Sequence, residues 1–269
     1  MDSNHSHPIM NIAIFYNPKT NPMNKSYAAE VTDVLDKHGV RKLLNPDVKE
    51  LSKIDTAIAV GGDGTVLYTA NLLAHTRIPI LGINFGHRGH LCQVRRDEIE
   101  ASVLKLIDKN YKIVEKTRIQ AEIKKRDNAT ERLEALNEIS IGGINRTVHI
   151  DIEIITPEKR LSAQISGDGL IVASRTGSTA YNINAGGSML LTEALSIVAN
   201  NAFFESDNLL PITKSLVVPS ETVIKIRDLS HNPANLPYAI ADGQKSIKIP
   251  GKEPVIIKKA KNKNYFIVF

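Results

Sequence analysis

Three groups of residues in this 269-residue chain have the types and spacing to do chemistry. The first is Gly61-Gly62-Asp63-Gly64-Thr65, set between an apolar run and a helical pattern. Glycines at such a junction let the backbone take positive φ and let a phosphate come close, while the amides that open the helix point toward it. Asp63 does not suit a turn built only for phosphate, because a carboxylate repels the anion. It fits if it holds a metal ion or takes a proton from an attacking hydroxyl, and both jobs belong to phosphoryl transfer. The Gly-Lys-Ser/Thr ending of a Walker A loop is absent. The bland alternative is an ordinary tight strand-to-helix turn.

The second group is Asn137-Glu138. Asn supplies a donor and an acceptor, and the neighbouring carboxylate can clasp ribose hydroxyls. Taken alone, the pair reads more readily as a turn residue followed by an exposed carboxylate at a strand start. The third and densest group is Gly167-Asp168-Gly169 followed by Thr176-Gly177-Ser178-Thr179-Ala180-Tyr181 and Ala185-Gly186-Gly187. Small hydroxyl residues around Gly177 make a surface that lies against a planar base and bonds its edge, and Tyr181 adds an aromatic face and a phenol. A flexible turn is the alternative, but a connection alone needs neither Asp168 nor Tyr181.

These groups need elements to hold them. Asn11–Tyr16, Arg41–Leu44, Thr56–Val60 and Ile78–Ile83 read as strands. Asn24–His38, about Thr65–His75 and Asp97–Lys109 read as amphipathic helices between and after them. That alternation predicts an α/β domain with an open, mostly parallel sheet, where ligands bind at the strand ends. After about Tyr111 the period falls to two. Short strands follow from Ile119–Ile123 to Val255–Lys258, with one helix expected between Gly187 and about Asn200. The boundary is placed at residue 113: residues 1–113 form an α/β domain and 114–269 a β-rich one, with the last residues free to return to the first. The active site is expected in the cleft between the two.

Composition narrows the partners. No run approaches the ~18–20 apolar residues of a membrane span, and the first ten residues lack the regions of a secretory signal, so a soluble, cytoplasmic protein is expected. The single Cys92 forms no internal bridge and fits a reducing compartment. A net charge of +5 asks for an anionic partner. It is spread thinly and has few aromatics among it, which favours a small phosphorylated substrate over nucleic acid or membrane.

With GGDGT at 61–65, the Asn-Glu pair at 137–138, GDG at 167–169, TGSTAY at 176–181, AGG at 185–187 and a late Asp242-Gly243, the sequence resembles the NAD kinase family. Members of that family phosphorylate the adenosine-ribose 2′-hydroxyl of NAD to give NADP. The resemblance implies that Asp63 is catalytic and that Gly61, Gly62, Gly64 and Thr65 face the donor's phosphates. Asn137 would bind adenine and Glu138 the ribose hydroxyls. Thr176, Thr179 and Ala180 would frame the adenine, Asp168 would contact the nicotinamide end, and Tyr181 would pack beside the dinucleotide. Asp242 would complete the pocket. It further implies ATP or polyphosphate as donor, a divalent metal such as Mg2+, and a homodimer or homotetramer. Two other readings stay open: a catalytically weak NAD(P) sensor, and a lipid kinase sharing GGDGT.

Several positions depart from the family pattern. Arg175 stands where Pro is usual, Arg88 and His90 replace apolar residues, and Lys214-Ser215 replaces Arg-Pro. His87, His90 and Cys92 lack a fourth ligand nearby, so no residues are assigned to a metal.

Overall fold

The computed structural model describes residues 10–18, 21–86, 89–125, 127–143, 147–202, 215–229, 236–250 and 253–269. The chain divides into two compact units, one comprising the residues up to Lys116 together with Asn264–Phe269, the other Thr117–Lys263. Among the described residues no helix is long and apolar enough to cross a membrane.

The first unit is an α/β layer structure. Strands β1 (Asn11–Phe15), β2 (Arg41–Leu44), β3 (Thr56–Gly61), β4 (Pro79–Asn84) and β5 (Val94–Arg95) pair in parallel in the order β2-β1-β3-β4-β5. Every residue of β3 is buried, as a central parallel strand covered on both faces requires. Helix α1 (Asn24–Lys37) turns Ala28, Val31 and Leu35 inward, and Gly39, at φ 65°, ends it. Helix α2 runs Asp63–Leu72, and α3, Ile99–Ile107, is preceded by a 3₁₀ turn over Arg96–Glu98. α2 thus starts two residues before the sequence pattern suggests, which makes Asp63 its first residue. The other side of β4 is covered by Tyr265 and Phe266, parallel to Pro79 and Ile80. Nearby, the buried Asn264 side chain donates to the Ala70 carbonyl at 2.8 Å.

The second unit is β-rich, as the period-two pattern requires. β6 (Lys112–Lys124) enters it and forms a hairpin with β7 (Thr130–Ala135). One antiparallel set contains β9 (Val148–Ile155), β10 (Arg160–Gly167), β14 (Val223–Asp228) and the first residues of β17 (Val255–Val268). The other contains β8 (Glu138–Gly142), β11 (Gly169–Ala173), β12 (Ala194–Asn200), β13 (Leu216–Pro219), β15 (Tyr238–Ala241) and β16 (Lys245–Lys248), in the order β13-β12-β11-β8-β15-β16. Ile139, Ile141, Leu170 and Val172 of one set share a core with Ile150, Ile152, Ile224 and Ile257 of the other.

One expectation is overturned. The segment from Gly187 to Asn200 holds no helix; Ala194–Asn200 is the strand β12, antiparallel to β11. Its buried run Leu195-Ser196-Ile197-Val198 has no 3.6-residue stripe, and pairing on both edges decides its conformation. Among the described residues, the helical ones preceding it are the single turn α4, Tyr181–Asn184, and a 3₁₀ turn at Gly177–Thr179.

Candidate active site

In the first unit the glycine turn lies where β3 ends and α2 begins. Gly61 has φ 148°, and a Cβ there would come 2.6 Å from the Thr65 hydroxyl, so this position needs glycine. Gly62 and Gly64 face open space, which leaves the backbone at the head of α2 approachable. Thr65 is buried, and its amide donates to the Gly62 carbonyl at 2.9 Å.

Asp63 is held from one side. The His90 amide donates to Oδ2 at 2.8 Å and the Leu91 amide to Oδ1 at 3.1 Å. Gly89 lets that loop approach, since a Cβ there would sit 2.9 Å from Asp63 Oδ1. Two amides on two oxygens fix the carboxylate's orientation before any substrate arrives. Beside it, burial, and secondarily the Asp63 charge, push the Cys92 thiol up to about 12. Both effects favour the neutral thiol. His87 and Arg88 lie outside the described residues. Among those described, no group of three or more His, Cys, Asp or Glu is placed to hold a metal ion.

In the second unit Asn137 and Glu138 stand at the start of β8, and both are only 7% exposed. Asp242 sets their position. Its Oδ1 accepts the amides of Asn137 (2.7 Å) and Glu138 (3.3 Å), and its Oδ2 accepts that of Leu136 (2.9 Å). Arg118, almost fully buried, feels the charges of Asp242 and Glu134, which oppose the lowering of its pKa by burial. Once the backbone is clamped, Asn137 Oδ1 and Glu138 Oε2 are buried with no hydrogen-bond partner. Burial, and after it repulsion from Asp242, raises the Glu138 carboxyl to about 7.

The TGSTAY segment packs onto the same place. Ser174 donates its hydroxyl to the Leu136 carbonyl at 2.6 Å and its amide to that of Asn137 at 2.8 Å. A Cβ on Gly177 would fall 2.1 Å from the Asn137 carbonyl oxygen. Only glycine lets this loop lie so close to the Asn137 backbone, and the loop carries Thr176, Thr179 and Ala180 as half-buried groups.

Asp168 and Tyr181 lie together elsewhere in this unit, on a cavity of about 580 Å³ that Gly142, Thr147 and Asn200 also line. Asp168 Oδ2 accepts from Asn201 at 2.7 Å, and the Tyr181 hydroxyl accepts from Asn200 at 3.0 Å. β8 and β11 connect the two places, with Glu138 opposite Ala173 and Gly142 opposite Gly169. Four residues of strand separate them, about 14 Å at ~3.4 Å per residue, a length suited to an extended dinucleotide.

The family model described as the ATP-NAD kinase N-terminal domain matches residues 11–111, and the one described as the ATP-NAD kinase C-terminal domain matches residues 136–269. The chain belongs to the NAD kinase family. The NAD kinase of Clostridium kluyveri is 35% identical over 228 residues, 83% of this chain and 76% of the relative. That of Thermoplasma volcanium is 34% identical over 223 residues, with the same coverage. A crystal structure of an Archaeoglobus fulgidus NAD kinase in complex with ATP is similar with a TM-score of 0.74 at 27% identity, covering 96% of this chain and 93% of that one. Yeast NADH kinase complexed with NADH is similar in fold, with a TM-score of 0.82 at 20% identity over 98% of this chain and 84% of that one. Because the match extends through the second half, the lipid-kinase reading, which rested on the glycine turn alone, is set aside.

Against the NAD kinase pattern, the departures that fall on described residues can be placed. Arg175 is half-exposed and pairs with Glu193 at 3.7 Å. His90 contributes its main-chain amide to Asp63, which any non-proline residue can do. Lys214 lies outside the described residues. Sequence reasoning missed the Ser174, Asn200 and Asn201 side chains, whose partners lie 19–38 residues away, and the amides around Asp63, because a main-chain donor carries no mark in residue type.

Asp242→Asn is expected to lower stability by about 2 kcal/mol in urea denaturation, since a carboxamide presents one acceptor oxygen to three buried amides. The KM for NAD is expected to rise with it. An unchanged midpoint and KM would show that the clamp does not position Asn137 and Glu138.

Proposed function

We propose that this chain transfers the terminal phosphoryl group of ATP to the 2′-hydroxyl of the adenosine ribose of NAD, releasing ADP and NADP. The observation that carries this reading is the adjacent pair of buried acceptors without partners, Asn137 Oδ1 and Glu138 Oε2. Leaving such atoms unsatisfied costs about 1–3 kcal/mol each. An adenine amino group and ribose hydroxyls supply the missing donors. Thr176, Thr179 and Ala180 then frame the base, Tyr181 packs beside the dinucleotide, and Asp168 meets the nicotinamide end. Asp242 acts through the backbone it clamps.

Asp63 takes the proton of the attacking hydroxyl. A bond forms between ribose O2′ and the γ-phosphorus as the bond from phosphorus to the β–γ bridging oxygen breaks, and ADP leaves with that electron pair. The backbone of Gly61, Gly62, Gly64 and Thr65 receives the donor's phosphates. Mg2+ arriving with the triphosphate fits these residues, because that ion is ordinarily held by one or two carboxylates plus phosphates, and Asp63 is the carboxylate of the turn. When bound it neutralises charge on the transferring phosphoryl group. Inorganic polyphosphate offers the same terminal anhydride and is the second donor on this reading. The exposed side chains of Met189, Leu191 and Val217 support a homodimer or homotetramer, and a cytoplasmic setting suits both substrates.

The test is NADP formation by purified protein with ATP, GTP or polyphosphate against NAD and NADH, in the presence of Mg2+. NADP is expected with NAD and ATP. Normal binding of both ligands with no product from any donor would instead identify a dinucleotide sensor.

A further inference from the structure

The first unit contains a cavity of about 800 Å³ that no role assigned above uses. Tyr27, Asn84, Phe85, His90, Arg95 and Arg96 line it, and Gly89, at its edge, leads into the amides that hold Asp63. We propose that this cavity receives the nucleoside end of the triphosphate donor, with the base against the Tyr27–Phe85 rings and Arg95 taking a phosphate. The inference rests on the kinase reading and extends it to how the donor is chosen.

Three observations carry it. The chain has 13 aromatic residues (7 Tyr and 6 Phe, no Trp), and two of them stack here, with centroids 4.3 Å apart and planes 16° from parallel. Half-buried rings offer a base a π-face without regard to its identity. The Arg96 guanidinium lies 5.8 Å from the Phe85 centroid and 5.9 Å from that of Tyr27, and three hydrogen bonds to Glu30, at 3.1, 3.1 and 2.8 Å, orient its plane. Arg95 likewise holds a carboxylate with two nitrogens, Asp97 at 3.2 and 3.1 Å, but that pair faces water more fully, 73% and 66% exposed against 63% and 36% for Arg96 and Glu30. An ion pair in water contributes little, so the guanidinium exchanges that carboxylate readily for a phosphate.

The competing account is a staple that ties the Arg96–Glu98 turn to α1 and binds nothing. The two accounts differ in ligand selectivity. Binding of MgATP, NAD and inorganic tripolyphosphate, each alone so that no turnover occurs, is measured by calorimetry for the unmodified protein, Phe85→Leu and Arg95→Ala. Phe85→Leu keeps an apolar side chain in place; it is expected to weaken ATP on the order of tenfold and to leave tripolyphosphate and NAD within about twofold. Arg95→Ala is expected to weaken ATP and tripolyphosphate together, with an unchanged melting temperature and unchanged NAD binding. Equal ATP affinity in all three proteins, or parallel losses for ATP and NAD, overturns the proposal. Because binding is read without catalysis, a protein that binds ATP in this way yet forms no NADP refutes the kinase reading and not this site.

Discussion

Asp63→Asn is expected to lower kcat by about 10³-fold, within the 10²–10⁴ range of a general base, while the KM for NAD changes by less than about threefold. The split follows from where the carboxylate acts. A group that receives the proton of an attacking hydroxyl matters to the transition state and little to ground-state binding. The substitution also has a structural side. The carboxylate accepts one amide on each oxygen, from His90 and Leu91, and a carboxamide can meet only one of them with an oxygen. A stability loss of about 1–2 kcal/mol is therefore expected as well. Comparing denaturation midpoints with single-turnover rates separates the two contributions. A kcat loss no larger than tenfold would mean that the carboxylate orients and does not take the proton.

Glu138→Gln is expected to stabilise the protein at pH 8 and to cripple NAD binding. The carboxyl is raised from its ordinary 4.5 to about 7 by burial and then by Asp242. The folded protein thus holds this proton more tightly than the unfolded chain. Stability contributed by the protonated group is fully present below about pH 4.5 and is lost as pH rises through about 7. At ~1.36 kcal/mol per pKa unit the penalty is at most about 3 kcal/mol. The variant should match the unmodified protein in urea near pH 4.5 and exceed it at pH 8. Its KM for NAD should rise about 10–100-fold, since a bond to a charged acceptor contributes about 1.5–3 kcal/mol. In the unmodified protein, NAD affinity should fall as pH drops below 7, because the protonated carboxyl is a poorer acceptor for ribose hydroxyls. A variant less stable at pH 8, or one with normal KM, would count against Glu138 as the ribose acceptor. A group that costs stability while empty is what a ligand site built for function looks like.

The glycine turn and the Asn137-Glu138 pair were legible because their chemistry resides in side-chain type. The α/β part was legible too: the buried TAIAV run and the Ala28, Val31, Leu35 stripe each point to one element. What escaped depends on contacts between distant residues. Asp242 reads as a ligand group until three amides more than a hundred residues away are seen on its oxygens. Glu138 reads as a surface carboxylate until the loop around Gly177 covers it. Ala194–Asn200 was misjudged for the same reason, since its two neighbouring strands, and no local period, make it a strand.

The pairing of Tyr265 and Phe266 with β4 has a consequence for the order in which the molecule is made. Ribosomes deliver β4 some 180 residues before Asn264 appears, a delay on the order of 10–40 s at ~5–20 residues per second. During that time β5 covers only the Ile83–Asn84 end of this edge, the Pro79–Ile80 stretch has no strand beside it, and the Ala70 carbonyl lacks its Asn264 donor. Nascent chains should therefore expose an adhesive strand edge until synthesis is nearly finished, which makes this seam the place where chaperone capture and misassembly are decided.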